Sequence, residues 1–258
     1  MAYSENEARA LVIEAGHKLL ENKLIARTWG NISARISDTE FIITPSGMAY
    51  DTLTPDKLVR VNIGDLSYCG DVKPSSEKGI HAAAYNLRPD VNFIVHTHQH
   101  YASAVCADER DTDLAPCASY GLPGTKKLKK AMRTCIAAHP DKNAFLMAHH
   151  GALCLGRDEA EAFDVASALE DECRRLYETR ANEGKNAGEN RPWLDDYAQI
   201  VGNGRSKIAD DAEAVEMIKA KNSAAARYVR NGRPISAADA FIQHFVYIKK
   251  YSKIKDRK

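Results

Sequence analysis

Two histidine clusters and one glutamate in this 258-residue chain have the residue types and placement to hold a metal ion. His96-Thr97-His98 ends the apolar run Asn92-Phe93-Ile94-Val95, which reads as a strand. Side chains two apart on a strand share a face, so both imidazoles can converge on one cation. His149-His150-Gly151 follows a second short apolar strand, Ala144–Ala148. Adjacent strand residues point to opposite faces, so only one of His149 and His150 easily reaches the same ion. Glu77, in Pro74-Ser75-Ser76-Glu77, adds a carboxylate. Three imidazoles and a carboxylate around an open position suit catalytic zinc. Manganese, cobalt or iron could take its place, because availability also decides which ion such a site holds. An H-x-H pair alone is more often structural; the combined set is the stronger signal. His100 shares parity with the pair, but a strand ending at His98 carries it away. His81, one helical turn beyond Glu77, reads as core or as support for the site.

A second constellation is made of glycines and hydroxyls: Gly30-Asn31, Thr44-Pro45-Ser46-Gly47 and Ser75-Ser76. Each offers backbone N–H groups or hydroxyls in a turn, and such groups form concave anion sites. Ser75 and Ser76 also stand at the start of an expected helix, where the dipole favours negative charge. Any one of these segments alone reads as turn chemistry or helix capping.

These residues need elements to position them. Ala8, Leu11, Val12, Ala15, Leu19 and Leu20 recur at helical spacing, which predicts an amphipathic helix over 4–24, and Ser4 with Glu7 fits a capping box. Alternating Ile32, Ala34 and Ile36, the turn Ser37-Asp38-Thr39 and the run Phe41-Ile42-Ile43 predict a hairpin. A strand follows at 58–61, a helix over 76–87 stopped near Arg88-Pro89, a strand over 92–96 and a helix beginning near Tyr101. Thr125–Ala137 reads as a basic amphipathic helix. Glu159–Ala181 reads as a long one, with Phe163, Ala166, Leu169, Cys173 and Leu176 on one side. The polar, glycine-containing stretch 182–192 reads as a linker to two more helices, around 210–228 and 236–250. The expected organisation is a domain over 1–183 and a helical extension over 184–258, of α/β or α+β class.

The ordered series Trp29-Gly30-Asn31-Ile32-Ser33, Ile43-Thr44-Pro45-Ser46-Gly47, Pro74-Ser75-Ser76-Glu77, His81, Arg88-Pro89-Asp90, His96-Thr97-His98 and His149-His150-Gly151 resembles the class II aldolase/adducin family. The likeness covers about residues 5–180 and is closest to the family's L-fuculose-1-phosphate aldolases. It implies a three-layer α/β/α fold with a central, mostly antiparallel sheet, and a homotetramer with active sites near subunit interfaces. It also implies zinc held by Glu77, His96, His98 and His150, with Glu77 as general base. Gly30, Asn31, Ser46, Gly47, Ser75 and Ser76 are then the substrate phosphate-binding positions. The implied reaction is aldol cleavage of a ketose 1-phosphate to dihydroxyacetone phosphate and an aldehyde. Related epimerases carry aspartate where this chain has Glu77, and non-catalytic adducin-type domains generally lack the histidine set. The family's proton-donor tyrosine has no counterpart in the shortened stretch 111–121; Tyr120, Tyr247 and Tyr251 are the substitutes at hand. A dehydratase, 4-epimerase or decarboxylase on the same metal and phosphate sites therefore stays open, as does a binding or scaffold role of the adducin kind.

Composition sets outer bounds. A net charge of +1 gives no global field for nucleic acid, and no apolar run nears the roughly 20 residues of a membrane helix. The acidic, periodic N-terminus is unlike a secretory signal, so the cytoplasm is the expected compartment. Six cysteines without a C-x-x-C pair are expected to be reduced and mostly buried.

Overall fold

The computed structural model describes residues 2–25, 30–106, 109–121, 124–148 and 150–186. The helices expected near 210–228 and 236–250, the linker from 187 onward, Trp29, His149, Tyr247 and Tyr251 lie outside the described residues. Helix α1 spans Glu5–Glu21, and Ser4 Oγ accepts a hydrogen bond from Glu7 N at 3.3 Å, one half of the expected capping box. Strands β1 (Asn31–Arg35) and β2 (Glu40–Ile43) form the expected hairpin, and β3 (Val59–Asn62) adds to its edge. Helix α2 (Lys78–Leu87), strand β4 (Phe93–Thr97) and helix α3 (His100–Cys106) follow. Then come β5 (Cys117–Ala118), α4 (Lys126–Ala138), β6 (Ala144–Met147), β7 (Gly151–Gly156) and α5 (Glu159–Asn186). Helix α5 runs unbroken across the expected 183/184 boundary.

The strands form one seven-stranded sheet in the order β3-β2-β1-β4-β7-β6-β5, antiparallel except for the β5–β6 pair. Alternation along each strand feeds two separate cores, as a pleated sheet requires. Ile32, Ala34, Phe93, Val95, Ala152 and Cys154 pack with α1, α3 and α5 on one face. Phe41, Ile43, Ile94, Leu153 and Leu155 pack with α2 and α4 on the other. The result is the three-layer α/β/α arrangement with a mostly antiparallel sheet.

Strand β7, which the sequence pattern does not predict, lies between β4 and β6. Its register pairs Leu153 with His96 and Ala152 with Thr97, and β1 pairs Asn31 with His96 on the other side. His96 therefore sits at the centre of the sheet, on the face covered by α2. Among the described residues no helix is long and apolar enough to cross a membrane. All six cysteines are free thiols; Cys106, Cys154 and Cys173 are buried, Cys117 and Cys135 half-buried and Cys69 exposed.

Candidate metal centre

His96 is fully buried near the end of β4, and its Nδ1 lies 2.8 Å from the carbonyl oxygen of Ala152 in β7. A carbonyl only accepts, so Nδ1 carries the proton and the Nε2 lone pair faces the site. His98 follows β4 by one residue, and its Nε2 is 3.1 Å from His96 Nε2. His150 is not on a strand, which corrects the parity argument applied to His149 and His150. Strands β6 and β7 pair as far as Met147 and Gly151, so His150 belongs to the turn between them. Its N–H donates to Met147 O at 2.9 Å, which closes that turn. The three imidazole centroids are 4.8, 4.9 and 5.0 Å apart, and one nitrogen from each lies within 4.8 Å of the others.

Two close backbone approaches allow this convergence. A Cβ on Gly151 would sit 2.3 Å from Thr97 O, so only glycine lets β7 begin against the end of β4. Gly30 has φ +83°, and a Cβ there would sit 2.3 Å from His96 O. That position needs glycine both for its left-handed backbone and for the contact with the strand that holds His96.

Glu77 occupies the N-cap position of α2, but its side chain caps nothing. The carboxylate turns to the histidines instead: Oε2 is 3.1 Å from His96 Nε2 and Oε1 is 3.2 Å from His150 Nε2. Burial raises its pKa, but the neighbouring His150 and His96, with a hydrogen bond from Asn31, outweigh burial and hold it at about 2. His150 goes the other way: burial, opposed by Glu77, lowers it to about 4. An ionised carboxylate beside a neutral His150 is the state that binds a cation.

The donor spacing also suits an ion. Tetrahedral ligands at about 2.1 Å from a shared ion lie about 3.4 Å from one another, and three of the donor contacts are 3.1, 3.1 and 3.2 Å. Glu77 Oε1 and His150 Nε2 are buried, face each other, and neither makes a hydrogen bond. Two buried polar atoms left in that state are costly unless a third partner joins them. The cluster of His96, His98, His150 and Glu77 thus fits a divalent cation.

The glycine and hydroxyl segments also come together beside Glu77. Thr44 N donates to Ile32 O, Ser75 N to Thr44 O and Ser46 N to Lys73 O, at 3.0, 3.0 and 2.9 Å. These bonds stitch the 30–31, 44–47 and 73–76 segments side by side. Ser46 and Ser76 are exposed, Gly47 has φ +74°, and Ser75 Oγ accepts from Glu77 N at 3.2 Å. A cavity of about 140 Å³ opens next to Ser76 and Glu77, and Lys78, Lys126 and Lys129 line it. Nothing in the sequence pattern links α4 to this region. Tyr120 is 4% exposed, with Lys127 Nζ 5.6 Å from its ring centroid, so it is a packed aromatic beside α4. His100 begins α3 and stacks edge-on against Tyr101, away from the three-histidine group, as its position beyond the strand predicts.

Polar residues behind Glu77 form a chain that the sequence only hinted at through His81. Asn31 Nδ2 donates to Glu77 Oε2 at 3.1 Å, and Asn31 Oδ1 is 2.5 Å from His81 Nε2. His81 Nδ1 is 2.7 Å from Ser33 Oγ, which is 2.9 Å from Tyr85 Oη. The Asn31 side chain is thus engaged with the glutamate rather than turned to the serine loops. Burial holds His81 neutral, with its pKa lowered to about 3.

Comparison with known proteins agrees with this geometry. Residues 10–177 match the family described as Class II Aldolase and Adducin N-terminal domain. A 5-deoxy-D-ribulose 1-phosphate aldolase of Bacillus thuringiensis serovar kurstaki is 30% identical over 185 residues, covering 67% of this chain and 85% of the relative. A 3-oxo-tetronate 4-phosphate decarboxylase of Pectobacterium atrosepticum is 27% identical over 190 residues, covering 67% and 85%. A solved L-fuculose 1-phosphate aldolase superposes with a TM-score of 0.60 at 26% identity, over 77% of this chain and 97% of that one. The chain belongs to the class II aldolase/adducin family and is a metal-dependent lyase of it.

Proposed function

We propose that the chain is a zinc-dependent aldolase that cleaves a ketose 1-phosphate, L-fuculose 1-phosphate or a close analogue, to dihydroxyacetone phosphate and an aldehyde. The observation that carries this reading is the meeting of Glu77, His96, His98 and His150 at ligand-to-ligand distances beside three stitched loops. Nitrogen-rich donor sets of this kind favour zinc. Bound there, the ion supplies positive charge for the oxygens of the substrate's carbonyl and adjacent hydroxyl.

The protein's own groups do the rest. Gly30, Ser46, Gly47, Ser75 and Ser76 hold the phosphate, with Asn31 contributing through its backbone because Glu77 and His81 occupy its side chain, and the lysines lining the neighbouring cavity favour an anion there. Anchoring the phosphate fixes the carbonyl end against Glu77. During cleavage the C4 hydroxyl gives up its proton, which passes to Glu77; the C3–C4 bond breaks as the aldehyde forms at C4, its electron pair passes into the dihydroxyacetone phosphate fragment, and Glu77 gives the proton to C3, ending ionised as it began. In condensation Glu77 removes that proton again, as general base. Residues 1–183 form the catalytic unit and 184–258 a helical extension, in a cytoplasmic homotetramer without nucleic-acid or membrane partners.

The test is release of dihydroxyacetone phosphate from a panel of ketose 1-phosphates by zinc-loaded protein. Release from at least one supports the reading, and silence on all of them refutes it. A second reading, decarboxylation of a 3-oxo acid phosphate, draws on the 27% identical relative and on the absence of the family's tyrosine. Loss of carbon dioxide leaves no aldehyde oxygen whose proton must be managed, so that tyrosine is dispensable. Product identification by ¹³C NMR separates the two.

A further inference from the structure

Glu77, His81 and Tyr85 lie four residues apart at the start of α2 and along it, and β1 opposes them with Asn31, Ser33 and Arg35, two apart. Four helical residues advance about 6 Å and two strand residues about 6.6 Å. A helix laid along a strand can therefore repeat its contacts almost in step. Asn31 holds Glu77 and His81, and Ser33 holds His81 and Tyr85. Arg35 ends the series by donating to Tyr85 O at 2.8 Å, with its guanidinium over the Tyr85 ring.

The charge at one end sets the direction of every bond. An ionised carboxylate only accepts, so Asn31 must offer its amide N–H to Glu77 and its oxygen to His81. That oxygen requires a proton on His81 Nε2. His81 Nδ1 then accepts from the Ser33 hydroxyl, whose oxygen accepts from Tyr85. Each member has one role, and all of them are buried.

We propose that Asn31 and His81 are positioning residues that lock the rotation of the Glu77 carboxylate. They keep Oε2 on Asn31 and leave Oε1, which no protein group hydrogen-bonds, facing the cation site and the substrate. A terminal carboxylate torsion is otherwise broad, so the ladder supplies the orientation that proton transfer needs. The inference rests on the base role of Glu77 proposed above.

Two variants and one spectroscopic measurement test it. The side-chain nitrogen of glutamine reaches about as far as His Nε2 and can still donate to Asn31, whereas leucine fills the space and donates nothing. In metal-loaded enzyme, His81→Leu should lower kcat by about 10- to 100-fold with KM within about 3-fold and full metal content. His81→Gln should recover most of that loss. In metal-free protein, ¹⁵N NMR of labelled histidine should show His81 as the Nε2–H tautomer. Equal losses in His81→Leu and His81→Gln at full metal content, or an Nδ1–H tautomer, would overturn the proposal. If wild-type protein turns over no substrate, the base role of Glu77 fails, while the tautomer still decides the ladder on its own.

Discussion

Glu77 Oε1 and His150 Nε2 face each other across 3.2 Å, both buried and neither hydrogen-bonded. The pair comes from opposite ends of the site, one from the start of α2 and one from the β6–β7 turn. It separates the two duties assigned to Glu77. Glu77→Gln keeps the shape and the oxygen but cannot take a proton; kcat should fall by about 100- to 10,000-fold, the usual worth of a positioned base. Glu77→Ala should also lower metal content. Elemental analysis beside steady-state kinetics checks both, and retention of activity in Glu77→Gln would remove it as the base.

Acid should destabilise the metal-free protein early. His81 and His150 have folded pKa values of about 3 and about 4, below the ordinary 6.5. Between those limits the unfolded chain binds more protons than the folded one, so stability rises with pH through this window and is lost as pH falls. From pH 7 to pH 5 each histidine should remove roughly 2 kcal/mol. Glu77, held at about 2, adds a loss of the same sign below pH 4.5. Urea unfolding of chelator-treated protein at several pH values measures this; a flat stability between pH 7 and 5 would contradict buried neutral imidazoles.

Glycines 30 and 70 separate conformation from contact. Both have left-handed φ, +83° and +91°, but a Cβ on Gly70 meets nothing within 4 Å, whereas one on Gly30 meets His96 O at 2.3 Å. Gly70→Ala should cost only the conformational penalty of about 1–2 kcal/mol. Gly30→Ala should cost about 1–3 kcal/mol more, as overpacking does, and should lower metal affinity because the strand carrying His96 must move. Thermal melts and metal titrations of the two variants check this.

Arg35 should be poorly replaceable. Its guanidinium donates to Tyr85 O at 2.8 Å, Arg88 O at 3.1 Å and Val91 O at 2.8 Å. These acceptors close the end of α2 and the turn that leads into β4. Arg35→Met strands them, at about 1–3 kcal/mol for each carbonyl that water cannot reach. Arg35→Lys should rescue little, since one ammonium cannot reproduce the planar fork. Denaturant unfolding of both variants measures it.

The helices were legible because each pairs one buried stripe with a wet face: Ala8, Val12, Ala15 and Leu19 in α1, and Ala166, Leu169 and Cys173 in α5. The histidine pair was legible because strand parity is a strict rule, and His96 and His98 obey it well enough to meet. Strand β7 was hidden. Gly151-Ala152-Leu153-Cys154-Leu155-Gly156 has no β-branched residue and no alternation, since both its faces are buried. Without that strand, strand parity extends past Ala148 to His150, a residue that sits in a turn. The ladder behind Glu77 was hidden for a different reason. Asn31, Ser33 and Arg35 alternate with apolar residues as on a half-exposed strand, but all three are buried under α2. The matching spacing of Glu77, His81 and Tyr85 was the available signal.

X-ray absorption at the zinc edge of the loaded protein reads the ligand set itself. The first shell should hold nitrogen and oxygen only, with multiple scattering from three imidazoles that weakens in His98→Ala. A shell containing sulfur from any of the six cysteines, or one without imidazole scattering, would contradict that ligand set.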